Sequence, residues 1–249
     1  MAALIAPSML SADFLHLEKD VQMVNAYADL FHLDIMDGRF VPNLSYGFPI
    51  VEAIAKKAVK PLDAHLMIVH PEKYVDRFAK LGVEMLSFHL NAAENPGEVL
   101  SQIRSAGMKP GLAINPDIPV ESLYPYLGQC HFVLLMSVFA GFGGQKFIEA
   151  TYDRLRALKA EIDRQGIECH IQVDGGVSAS NAGQLIECGA DILVAGSAVF
   201  KAEDLVHVLT LGRQHNDRHI TLLADLLAHL QAVLMRQHNV QQDQVISLV

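Results

Sequence analysis

The chain has 249 residues, 51% of them hydrophobic and 19% charged, enough for one large α/β domain or two small ones. A net charge of −9 with no basic run excludes a nucleic-acid partner, and with no apolar stretch near the roughly 20 residues of a transmembrane helix, no membrane partner is expected. The start, M-A-A-L-I-A-P-S, lacks the features of a signal peptide, and Cys130, Cys169 and Cys188 are widely spaced buried-thiol candidates, so a reducing compartment, the cytoplasm, is expected.

Short β-rich runs alternate with segments whose apolar residues fall at helical spacing. In chain order, a strand is expected at 4–7, a helix over 14–27, strands at 30–35 and 62–67, and a helix over 74–81. A strand at 85–89, a helix over 99–106 and strands at 110–114 and 132–138 follow. The series continues with a helix over 152–164, a strand at 169–173, a helix over 180–188 and a strand at 191–195. Pro and Gly punctuate the junctions, as in Ala106-Gly107-Met108-Lys109-Pro110. Eight strands alternating with helices and no linker predict a single α/β domain over residues 1–212, a (β/α)8 TIM barrel rather than a doubly wound sheet.

An eighth helix is expected over 202–211. Residues 213–249 form a C-terminal extension. It opens with a polar stretch holding His215 and His219, followed by an amphipathic helix over 220–236 with Leu223, Leu226, Leu227, Leu230 and Leu234 on one stripe. That stripe reads as a packing or oligomer contact, and a homo-oligomer is expected. Residues 237–249 read as loosely ordered.

Four potential metal ligands lie inside strand-like runs: His32 and Asp34 in F-H-L-D-I-M-D-G, His65 in L-D-A-H-L-M-I and Asp174 in I-Q-V-D-G-G-V. Alternate residues of a strand share a face, so His32 and Asp34 point the same way. Placed at the C-terminal ends of strands two, three and seven, the four converge on one mouth of the barrel. Two imidazoles and two carboxylates suit one divalent transition metal ion with positions left open for substrate, and the aspartates are also acids that can move protons.

Glycine-rich turns follow strands six, seven and eight. They are G-F-G-G-Q, with Gly141, Phe142, Gly143 and Gly144; D-G-G-V, with Gly175 and Gly176; and A-G-S-A, with Gly196 and Ser197. Backbone N–H groups approach an anion closely where no side chain intervenes, and barrels often place phosphate at the turns after strands seven and eight. Three such turns opposite a metal cluster predict a phosphorylated substrate.

The motifs A-P-S-M-L-S-A-D-F, H-L-D-I-M-D-G-R-F-V-P-N, D-A-H-L-M-I, A-I-N-P, M-S-V-x-x-G-F-G-G-Q-x-F, V-D-G-G-V and A-G-S-A-V-F occur in that order between Ile5 and Asp204. Together they resemble the ribulose-phosphate 3-epimerase family. The resemblance implies a barrel of the ribulose-phosphate-binding type and a zinc, iron, manganese or cobalt ion on His32, Asp34, His65 and Asp174. It makes Asp34 and Asp174 the catalytic proton-transfer pair, with Ser8 and His65 touching substrate and Met36, Met67 and Met136 lining the site. Gly143, Gly144, Gly176, Gly196 and Ser197 would cradle the phosphate. The implied reaction is epimerisation at C3 of a sugar phosphate, D-ribulose 5-phosphate to D-xylulose 5-phosphate in the pentose phosphate pathway, through an enediolate that the metal stabilises as a Lewis acid.

The alternative substrate is D-allulose 6-phosphate, since F-H-L-D-I-M-D-G and K-P-L-D-A-H-L-M suit both activities. Related decarboxylases and aldolases carry D-x-K-x-x-D on strand three, where this chain has His65 and Ile68 in place of the Lys and second Asp. A non-catalytic sugar-phosphate sensor is disfavoured by retention of both acids. Two positions depart from the family pattern. Phe139-Ala140 stands where an acidic residue or Asn precedes Pro, and Asn91 stands where Glu is common. Loss of Pro is expected to loosen the turn before G-F-G-G-Q, and Phe139 to reshape the mouth.

Overall fold

The computed structural model describes residues 3–201. The expected eighth helix at 202–211 and the C-terminal extension at 213–249 lie outside the described residues.

Eight strands alternate with helices: β1 (Leu4–Pro7), α1 (Leu17–Tyr27), β2 (Phe31–Met36), α2 (Phe48–Ala55), β3 (Leu62–Met67), α3 (Val75–Lys80), β4 (Met85–His89), α4 (Pro96–Ser105) and β5 (Lys109–Ile114). A 3-10 helix (Val120–Gln129) takes the next helical place, followed by β6 (Phe132–Met136), α5 (Thr151–Gln165), β7 (His170–Asp174), α6 (Ala182–Glu187), β8 (Ile192–Ala195) and α7 (Ser197–Phe200). All strand pairs are parallel, in the order β1-β8-β7-β6-β5-β4-β3-β2. A parallel bridge between Ser8 and His32, just past the end of β1, brings the sheet round to β2. The expected (β/α)8 barrel is borne out.

Period-two alternation divides each strand between two environments. On β2, Phe31, Leu33 and Ile35 join the large apolar layer beneath the helices, while His32, Asp34 and Met36 fall on the other face. On β3, Leu62, Ala64 and Leu66 join that same layer, leaving Asp63, His65 and Met67 for the interior. Ala6, Leu30, Met85, Phe132, Ile192 and Val194 form a separate buried cluster that plugs the barrel below the polar residues. Burial of such aliphatic and aromatic side chains is the main favourable contribution to the fold.

Helix ends set the returns to the sheet. After α4, Gly107 sits at φ 85°, and its N–H donates to the Arg104 carbonyl while Met108 N–H donates to that of Ile103. This paired closure is a Schellman motif, which needs a left-handed residue and then turns the chain into β5. Gly82, Gly166 and Gly189 close α3, α5 and α6 with the same pair of bonds.

Gly111, on the inner face of β5, has a different reason to be glycine. A Cβ there would lie 2.3 Å from Phe132 Cζ, so the missing side chain is the space the Phe132 ring fills. Gly111→Ala should destabilise the protein by about 1–3 kcal/mol through overpacking. Urea denaturation checks this, and an unchanged midpoint would contradict the packing argument.

Candidate active site and metal centre

Ligand atoms of His32, Asp34, His65 and Asp174 lie within 4.8 Å of one another, forming the one such group that could hold a metal among the described residues. His32 Nε2 is 3.4 Å from Asp34 Oδ1 and 3.9 Å from Asp174 Oδ2. His65 Nδ1 is 3.3 Å and 3.9 Å from the same two oxygens. Four donors at about 2.1 Å from a tetrahedral ion would stand roughly 3.4 Å apart, so these separations suit one ion. His32 Nε2 is buried without a hydrogen bond, and no Lys or Arg among the described residues pairs with Asp34, Asp63 or Asp174. Buried carboxylates with an orphaned imidazole nitrogen call for a cation.

The sequence placed these ligands at strand ends; only Asp174 ends its strand. β2 continues to Met36 and β3 to Met67, because the two strands stay in register through Asp34–His65 and Met36–Met67. His32, Asp34 and His65 therefore sit within the barrel. Met36, Met67 and Met136 line the cavity above them, together with Asp34, Asp174 and Ser8. Ser8 Oγ donates to Asp34 Oδ2 at 2.5 Å.

Charge divides unevenly over the cluster. Burial would raise the Asp34 pKa, but the His32 and His65 imidazoles hold it well below the usual carboxylate range. Asp174 is pushed up to about 7 by burial and then by the Asp34 charge. Burial lowers His32, yet the Asp34 and Asp63 carboxylates outweigh it and hold the imidazole well above its ordinary value. His65 is lowered by burial despite Asp34, and His89 further still by burial and by His65.

Three residues not named among the site candidates stand behind the four grouped donors. Asp63 Oδ2 accepts from His32 Nδ1 at 2.7 Å and from Gln172 Nε2 at 2.6 Å, and His65 Nε2 meets His89 Nε2 at 2.9 Å. The signal was present: D-A-H puts Asp63 on the face of His65, by the period-two argument that joined His32 to Asp34.

All three glycine turns reach one cavity of about 510 Å³, lined by Gly141, Phe142, Gly143 and Gly144, by Gly175 and Gly176, and by Gly196 and Ser197. Ser11 and Lys201 also line it and escaped the sequence reading. Gly176 has a structural role beside any ligand contact, since at φ 63° a Cβ would lie 2.7 Å from Phe147 N. At Gly196 a Cβ would meet Ser11 Oγ at 2.6 Å.

Side-chain hydrogen bonds tie the turn before G-F-G-G-Q. Ala140 has the N–H that Pro lacks, and it donates to Asn115 Oδ1 at 3.0 Å. Asn43 Nδ2 donates to the Gly141 carbonyl at 2.8 Å, and Gln145 Nε2 to those of Phe139 and Phe142. Phe139 lies at the mouth, 49% exposed, as its place in the turn implied. Asn91, the other departure, lies in a short 3-10 turn after β4 and does not line the cavity.

A family model described as the ribulose-phosphate 3 epimerase family matches residues 4–200. The chain belongs to the ribulose-phosphate 3-epimerase family. It is therefore an enzyme of the isomerase class, and the family resemblance of its motifs is borne out. A ribulose-phosphate 3-epimerase from Synechocystis sp. is 46% identical over 208 residues, which cover 82% of this chain and 90% of that protein. One from Bacillus subtilis is 43% identical over 202 residues, covering 80% and 93%. A mutant tryptophan synthase alpha-subunit from Pyrococcus furiosus superposes with a TM-score of 0.62 at 19% identity, over 80% of this chain and 88% of that one, which shows a shared fold alone. Among the described residues no helix is long and apolar enough to cross a membrane.

Proposed function

We propose that this chain interconverts D-ribulose 5-phosphate and D-xylulose 5-phosphate by inverting C3. The observation that carries the reading is the union of Asp34 and Asp174 with two buried histidines, the two aspartates lining a cavity that three glycine turns also line. His32, Asp34, His65 and Asp174 would hold one divalent ion, zinc, iron, manganese or cobalt. Such an ion supplies Lewis acidity toward the charge that develops when a proton leaves the carbon beside a carbonyl. Asp34 and Asp174 form the proton-transfer pair. Two acids are required because loss of the C3 proton leaves a planar carbon: one removes a proton from one face, and the other returns one to the opposite face. Ser8, bonded to Asp34, keeps that carboxylate oriented and faces the substrate.

The glycine turns are the phosphate end of this cavity. Lys201 is the single cationic side chain among the described residues lining it. Lys201→Ala should raise KM by roughly 2- to 10-fold with little change in kcat, the range for losing one exposed charge contact. Unphosphorylated ribulose should lose kcat/KM by at least about 10²-fold, since remote binding energy positions the reacting carbon. Equal kcat/KM with and without the phosphate would overturn the phosphate site.

Steady-state kinetics on ribulose 5-phosphate and allulose 6-phosphate test the substrate assignment. A higher kcat/KM for the pentose supports it, and a higher value for the hexulose moves the reading to the alternative 3-epimerase. The enzyme works in the cytoplasm as a homo-oligomer in this reading, which gel filtration with light scattering checks for the assembly.

A further inference from the structure

We propose that Asp63 and His89 are positioning residues of the metal centre, each holding one histidine ligand with the correct nitrogen bare, and that the Asp63 arm is the stronger. The inference rests on the proposed metal site and extends it to residues that would not touch the ion. An imidazole binds metal through an unprotonated nitrogen, so its proton must sit on the other nitrogen, and the partner of that N–H fixes the ring.

For His32 the structure supplies a carboxylate. Nδ1–H donates to Asp63 Oδ2, which leaves Nε2 bare, without a hydrogen-bond partner and directed at Asp34 and Asp174. Asp63 is itself held, because Gln172 Nε2 donates to the same oxygen across the barrel. All three side chains are fully buried, so water does not compete for these bonds.

For His65 the partner is neutral. Its Nδ1 faces the Asp34 and Asp174 oxygens, so with an ion bound its proton must sit on Nε2, where His89 Nε2 is the acceptor. His89 is buried, meeting His65 edge to edge with ring centroids 5.0 Å apart and tilted against Phe40 at 4.8 Å, which limits its rotation. A carboxylate accepts a more strongly charge-assisted bond than an imidazole does. His32 is thereby the more electron-rich ligand, and loss of Asp63 should weaken metal binding more than loss of His89.

The test measures metal affinity of the full-length protein by Zn²⁺ competition against a chromophoric chelator, with Co²⁺ absorption reporting coordination. Asp63→Asn keeps the shape and an acceptor oxygen but removes the charge, and should raise the Zn²⁺ dissociation constant by roughly 10- to 100-fold. His89→Leu should raise it by a smaller factor, and His89→Gln, whose amide oxygen can accept the same N–H, should recover most of the loss. Gln172→Met leaves Asp63 in place and serves if Asp63→Asn does not fold; it should weaken binding by less than tenfold and perturb the Co²⁺ spectrum. A purely structural role would lower the melting temperature of the metal-free variants and leave affinity unchanged. Folded variants binding Zn²⁺ within about twofold of wild type, or His89→Leu weaker than Asp63→Asn, would overturn the inference. Wild-type protein that binds neither ion at this site would instead overturn the metal reading beneath it.

Discussion

Prolonged chelation should abolish turnover, and Zn²⁺, Fe²⁺, Mn²⁺ or Co²⁺ added back should restore it. The loss should be near complete because the cluster holds Asp34, Asp174 and, behind them, Asp63 in a buried site where no Lys or Arg among the described residues pairs with them. Without an ion, the Asp34 and Asp63 carboxylates raise the His32 pKa well above its ordinary value against the opposing effect of burial, and the two imidazoles lower that of Asp34. An ion takes the place of protons at such a cluster, because a ligand nitrogen is unprotonated, so metal binding weakens as pH falls. Activity assays paired with metal analysis check this result. Full turnover by verified metal-free protein would contradict it.

Asp34→Asn and Asp174→Asn should each cut kcat by at least about 10²-fold, the low end for removing a general acid or base. That loss corresponds to about 2.7 kcal/mol of barrier. Both residues also stand among the metal donors, so the variants must be assayed at saturating metal with occupancy measured. Where metal stays bound, a single-acid variant should still exchange the C3 hydrogen of one epimer while failing to invert it. Near-wild-type epimerisation by either metal-loaded variant would leave that aspartate a structural role only.

The barrel was legible because inward and outward positions alternate strictly on strands such as F-H-L-D-I-M, and Gly or Pro marks the helix-to-strand returns. α2 escaped the reading because F-P-I-V-E-A-I-A is apolar nearly throughout, and such a segment shows little helical period. The 3-10 helix at Val120–Gln129 escaped for another reason: Pro125 interrupts it and denies the α pattern. The expected helix at 14–27 begins three residues later, at Leu17, because Asp13 Oδ1 accepts the Leu15 N–H and holds a turn there. The strand expected at 132–138 ends at Met136, although Val138 continues the apolar run beyond Ser137. Ser137 Oγ donates instead to the Asp174 and Gly175 carbonyls, anchoring the start of the next loop.

At the site, the grouping of His32, Asp34, His65 and Asp174 was legible because metal-binding residue types are rare inside apolar strands. Asp63, His89 and Gln172 were not singled out, because their contacts are made between strands: Asp63 and His89 meet the grouped histidines, and Gln172 meets Asp63. His32 meets Asp63 across the β2–β3 pair, and Gln172 reaches Asp63 from β7, contacts that spacing within one strand does not reveal. The bond from Ala140 to Asn115, which joins residues 25 apart in sequence, was hidden from the sequence in the same way.

The measurement that tests the account most directly is turnover of ribulose 5-phosphate by the metal-loaded protein in D₂O, followed by proton NMR. The account predicts xylulose 5-phosphate carrying deuterium at C3, with both C1 hydrogens retained. Deuterium appearing at C1, or no xylulose 5-phosphate at full metal occupancy, would contradict it.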